Sequence, residues 1–120
     1  MDKKRYIVEI GTGVDLHGED VTEAACRAVR DAISRSCLCG IQEVLDIKDI
    51  DQVEVEILIA SPKPDAVDLD QVAKLVPMKC GKIDSVQGGL QVRGLLVPRF
   101  APGRDQIVVA NAAVTVYIPT

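Results

Sequence analysis

One amphipathic helix constrains this chain more than any other feature. Val21, Ala24, Ala25, Ala28, Val29, Ala32 and Ile33 fall at i, i+3, i+4, i+7, i+8, i+11 and i+12, the repeat of a single apolar stripe on a 3.6-residue helix. Most of the stripe is alanine, so the helix axis can come close to whatever it covers. Asp20 and Glu23 have capping-box spacing at its start, with aspartate in the serine position. Arg27, Arg30, Asp31 and Arg35 lie off the stripe, with Arg35 near the end where the helix dipole favours a cation.

Strand signals surround this helix. Residues 6–10 alternate, with Tyr6, Val8 and Ile10 on one face. A glycine-rich loop over 11–20 then leads into the helix. Cys37 to Gly40 suggests a turn, 41–45 a short strand or a helical turn, and 46–52 a polar surface connection. Val53, Val55, Ile57 and Ile59 alternate with Glu54 and Glu56 in a clear strand that Pro62 and Pro64 break. Asp68 can cap a second helix with Leu69, Val72, Ala73 and Val76 as its stripe, and Pro77 stops it. Strands follow at 82–86 and 90–97, separated by the turn or bulge of Gly88 and Gly89. A loop over 99–105 precedes a long last strand at 107–118. The first part of that strand is apolar at nearly every position, which predicts burial on both faces.

The order β-α-β-α-β-β-β predicts one α+β domain over residues 1–120, a two-layer sandwich of one mixed sheet with two helices on one face. Two helices cover only one sheet face. The other face is therefore expected to pack on further copies in a closed homo-oligomer.

Composition removes several function classes. The net charge is −4, and one Phe, two Tyr and no Trp supply almost no stacking surface. Nucleic acid is therefore not an expected partner. No run approaches the length of a membrane span, and no signal-peptide pattern follows Met1. A cytoplasmic protein without a membrane partner is expected. In that setting Cys26, Cys37, Cys39 and Cys80 are not a disulfide framework. Cys26 lies on the apolar helix stripe as a small core residue. Lys79 and Lys82 flank Cys80, an arrangement that favours its thiolate.

Charge is uneven along the chain. Residues 1–60 hold 7 Lys/Arg against 13 Asp/Glu, a balance of −6, whereas 61–120 hold 7 against 5, a balance of +2. The positive excess sits mainly in Lys79, Lys82, Arg93, Arg99 and Arg104, either as solvated surface or as a small anion-binding patch.

Four constellations carry possible chemistry. Asp15-x-His17 places a carboxylate and the only histidine two residues apart, so in an extended segment both can reach one divalent metal. The pair can equally serve in acid–base chemistry or simply order the loop. Gly11, Thr12 and Gly13 open the same loop ahead of a helix N-terminus, where backbone amides can hold an anion. The dinucleotide fingerprint and the P-loop are both missing. Lys82 and Ser85 offer a lysine-activated nucleophile, although on one strand they point to opposite faces. Asn111 interrupts an apolar run as a buried amide that fixes register or faces a ligand.

The run from Gly11-Thr12-Gly13-Val14-Asp15-Leu16-His17-Gly18-Glu19-Asp20 to Val21-Thr22, with Gln87-Gly88-Gly89-Leu90 and Val109-Ala110-Asn111-Ala112-Ala113-Val114, resembles a small uncharacterised bacterial family of conserved hypothetical proteins. This resemblance implies no established reaction. The chain departs from it at Leu38-Cys39-Gly40, where Leu-Pro-Gly is expected. More loosely, the layout is similar to ferredoxin-like folds and to trimeric chorismate-mutase-like and ring-opening amidohydrolase domains. Those imply a trimer, or a multiple of one, with sites between subunits, and Ser85 with Lys82 as the amidohydrolase pair. Gly13-x-Asp15-x-His17 is similar to the metal segment of the trimeric methylerythritol cyclodiphosphate synthases.

The function expected is binding or transformation of a small polar or anionic metabolite at a subunit interface, with loop 11–20 as the site. Asp15 and His17 would hold a divalent metal or move protons. Gly11, Thr12, Gly13, Lys79, Lys82 and Arg93 would hold the anion, with Asn111 beside it. Turnover would be of hydrolase or lyase type. The alternative is a non-catalytic metabolite-binding or structural oligomer.

Overall fold

The computed structural model describes residues 2–120. Its strands are β1 (Lys3–Asp15), β2 (Glu54–Ser61), β3 (Lys79–Gln87), β4 (Leu90–Arg93) and β5 (Gln106–Pro119). Its α-helices are α1 (Val21–Ile33), α2 (Cys39–Glu43) and α3 (Leu69–Ala73). The sheet order is β1-β5-β2-β3, antiparallel at β1/β5 and β5/β2 and parallel at β2/β3. β4 pairs with β5 beyond the point where β2 stops. This is the expected α+β fold with one mixed sheet.

The alanine stripe explains how α1 sits. Ala24, Ala25, Ala28, Val29 and Ala32 are buried against Val108, Ala110, Ala112 and Val114 of β5. Small side chains on both surfaces let backbones approach, and the approach is closest at β1. A Cβ on Gly11 would lie 2.1 Å from the Ala28 carbonyl oxygen, and one on Gly13 would lie 2.0 Å from that of Ala24. Both glycines therefore belong to strand β1 and not to a loop. Their absent side chains make room for the helix backbone.

Other expectations change with tertiary context. Arg5 pairs with Tyr117 and Ile7 with Val116, so Tyr6 is bulged out of register. It leaves the face shared by Val8 and Ile10, and its hydroxyl comes to lie beside Gly40. Of residues 41–45, 41–43 are helical and 44–45 a turn, because α2 covers Cys39–Glu43 and so also takes in Cys39 and Gly40 of the expected turn. The strand expected at 90–97 ends at Arg93. β5 begins only at Gln106, so residues beyond Gly94 have no strand opposite them and form an arm over 94–105.

β5 is not buried on both faces. Val108, Ala110, Ala112, Val114 and Val116 lie under the helices, while Val109, Ala113, Thr115 and Tyr117 are half-buried and Asn111 is exposed. Nothing among the described residues covers that second face, where Val8, Ile10, Leu58, Val86 and Leu90 are also exposed. The surface area is 7134 Å² for 12.9 kDa, against about 6300 Å² for a folded monomer of this mass. The radius of gyration is 16.2 Å, against about 14 Å for a compact chain of this length.

Candidate functional site

The candidate site lies where β1 ends. Asp15 closes the strand, and its Oδ2 accepts the Asp20 amide at 2.9 Å. Asp20 in turn caps α1 by accepting the Glu23 amide at 3.0 Å. Arg27 donates to the Val14 carbonyl at 2.6 Å and reaches Asp15 Oδ1 at 3.4 Å. The turn 16–20 is thus tied by carboxylates to the first turn of α1. Those carboxylates occupy the amides that an anion would otherwise use.

His17 makes its contact with the arm instead. Its ring centroid lies 5.0 Å from that of Phe100, tilted by 55°, an arrangement aromatic pairs favour. Arg104 donates to the Gly18 carbonyl at 3.1 Å. Turn and arm therefore meet at one corner. A cleft of about 530 Å³ opens there, lined by Val14, Asp15, Leu16, His17 and Arg27. His17 Nδ1 is buried and has no hydrogen-bond partner among the described residues.

The other expected site residues do not join this corner. Lys82 and Ser85 do lie on opposite faces of β3. Lys82 pairs with Asp84 at 3.7 Å on the open face, while Ser85 Oγ donates to the Pro64 carbonyl at 2.6 Å on the helix side. Lys79 reaches Glu54 at 3.7 Å and Arg93 reaches Asp105 at 3.9 Å, so these cations are dispersed and paired. Asn111 is exposed, not buried, and donates across the strand pair to Thr12 Oγ1 at 3.0 Å. Burial pushes the Cys80 thiol up, against the thiolate that its flanking lysines suggest. Among the described residues no three His, Cys, Asp or Glu side chains gather as a metal site.

The sequence singles out no role for Phe100, and it gives Arg104 only as part of the cationic half and Arg27, Asp31 and Arg35 only as residues off the apolar stripe. Arg27, Asp31 and Arg35 seal the free edge of β1. Arg27 bonds Val14 O, the Thr12 amide donates to Asp31 at 2.9 Å, and Arg35 donates to the Ile10 carbonyl at 3.0 Å. Four helical residues rise about 6 Å and two strand residues about 6.8 Å, so the i, i+4, i+8 spacing matches alternate strand residues. That spacing was the available signal. Sealing an edge also prevents stray strand pairing.

These bonds give a pH dependence. The Thr12 amide, then Arg35, hold the Asp31 carboxyl below its ordinary 3.8. Lys3, then Lys79, hold Glu54 below its ordinary 4.5. Both contributions are complete above those values and are lost as pH falls through the lower folded values. Urea midpoints are expected to drop below about pH 4. Asp31→Asn protein should start less stable at pH 6 and lose less on acidification. An equal acid loss in both proteins would remove Asp31 as a cause.

The chain aligns over its full length with the crystal structure of an FtsZ-like protein of unknown function from Nostoc punctiforme. The two are 36% identical, with a TM-score of 0.86, covering 100% of this chain and 99% of that one. No curated protein matches. Residues 5–116 match a family described as conserved hypothetical protein, and on that match the chain belongs to the Lin0512 family of conserved hypothetical proteins.

Proposed function

We propose that the protein is a homo-oligomer that binds a small polar metabolite at the His17 corner. The observation that carries this reading is the buried, unpartnered His17 Nδ1 at the lip of an open cleft. Leaving such a nitrogen unsatisfied costs about 1–3 kcal/mol, and buried polar groups without partners concentrate at working sites. Asp15, Glu19, Asp20 and Glu23 outnumber Arg27 and Arg104 at this corner. That balance supports a hydrogen-bond donor or cationic group on the ligand more than an anion. Binding is favoured over turnover because Asp15 and Ser85 are already engaged by backbone groups. A divalent metal on Asp15 and His17 would need ligands from a second copy. The oligomer is supported by the uncovered apolar sheet face. No described helix is long and apolar enough to cross a membrane, and all four cysteines are free, which suits a cytoplasmic location.

A thermal-shift screen of small polar metabolites, with zinc and manganese included, tests the site. A ligand at a hundred times its Kd adds about 2.7 kcal/mol, a shift of several degrees. Such a shift should vanish in His17→Ala protein. If no compound shifts the wild type and His17→Ala is the more stable protein, the histidine is a packing residue and the binding reading fails.

A further inference from the structure

We propose that the arm over 94–105 of one copy docks into the apolar cavity beneath segment 37–50 of a second copy, joining protomers end to end. The contact shares Phe100 with the His17 corner but requires no ligand there. It also lies apart from the open sheet face, because the cavity is on the helix side.

Strand register places knob and hole at opposite ends of the molecule. The arm leads into Gln106, and Asp15 pairs with Val108 at that end of the sheet. The cavity borders Val53, next to Glu54, which pairs with Tyr117 at the other end. The long dimension is 53 Å against 23 and 18 Å, so one chain's arm cannot fold back into its own cavity.

The two ends match in shape. Leu95, Leu96 and Phe100 are 68, 50 and 62% exposed. The Phe100 ring also meets that of His17, with centroids 5.0 Å apart. The arm is already ordered by its own turns: Gly94 N donates to Asp105 O at 2.6 Å and Phe100 N to Val97 O at 2.9 Å. Little freedom is lost on docking such a segment. The cavity holds about 300 Å³ and is walled mainly by Leu38, Ile41, Ile47, Val53 and Met78, with Gln42 and Lys48 as its polar lining. A cavity of about 150 Å³ accepts a benzene ring, so a phenyl and a leucyl side chain fit together. Val44 and Ile50 stand exposed at its rim.

Charge matches as well. The arm with its preceding residue, 93–105, carries Arg93, Arg99 and Arg104 against Asp105, whereas segment 37–51 carries Glu43, Asp46, Asp49 and Asp51 against Lys48. Opposed patches of this kind select partner and orientation. Because knob and hole are different surfaces, the contact is heterologous and propagates until the ring closes or a fibre grows.

Sedimentation velocity on the full chain at micromolar concentration tests this. Phe100→Ser, Arg99→Glu and Glu43→Lys should each lower the assembly mass at least two-fold. Arg99→Glu combined with Glu43→Lys should restore it, which rules out misfolding as the cause. Association through the ends should survive Ile10→Asp on the open face. A wild type that is monomeric, a mass unmoved by the three single changes, or a double variant no better than either parent would overturn the proposal.

Discussion

Gly13→Val protein is expected to lose most of its soluble yield, and what remains should melt far below the wild type. The added Cβ would lie 2.0 Å from Ala24 O and 2.3 Å from Ala28 N. Both are backbone atoms of α1, and they cannot rotate aside as a flexible side chain would. Overpacking in a tight core costs about 1–3 kcal/mol and sometimes more. Here the helix itself must lift, separating the alanine stripe from β5, so the top of that range is the floor. A loss of about 3 kcal/mol lowers the Tm of a chain this size by about 10 °C. Gly103→Ala is the control. Its φ is +75° and nothing lies within 4 Å, so only backbone strain of about 1–2 kcal/mol applies. Thermal melts of the two variants separate packing from conformation. A Gly13→Val midpoint within about 3 °C of wild type would mean that α1 does not sit on β1 this closely.

The second large effect is expected on assembly. Ile10, Ala113 and Leu58 form one row across β1, β5 and β2. Ile10 is 58% and Leu58 46% exposed on a face that no helix covers. The excess surface, 7134 Å² less about 6300 Å², is about 800 Å², one partner's share of a standard interface. Ile10→Asp combined with Leu58→Asp should leave the fold intact, because neither side chain enters the core. It should abolish face-to-face association, because two charges per copy would be buried without partners. Light-scattering mass should fall at least two-fold while the far-UV circular dichroism spectrum stays unchanged. An unchanged mass would show that this face is not the interface.

Much of the fold was legible because it is written in near neighbours. The α1 stripe, the Asp20 cap, the alternation of β2 and the Asp68 cap of α3 all depend on residues within a few positions of one another. The candidate site was legible only as a place. Asp15 and His17 stand out in the sequence by residue type and spacing. Their separate partners, Arg27 of α1 for Asp15 and Phe100 of the arm for His17, are not announced by local sequence.

Glycine shows the same division. Gly11-x-Gly13 before a helix signals a phosphate-cradling loop as well as it signals close packing, since both need a missing Cβ. The sequence by itself determined that α1, β2, α3 and β5 form, which residues cap the two helices and which α1 stripe is buried. Those choices follow from torsional preference and from periods of two and 3.6 residues. Only the tertiary structure decided that the glycines seat α1, that Asn111 is exposed and that Arg27, Asp31 and Arg35 seal an edge. Each outcome rests on contacts between residues 11 to 99 positions apart. Their geometry exists only after the sheet has assembled and the helix has docked on it.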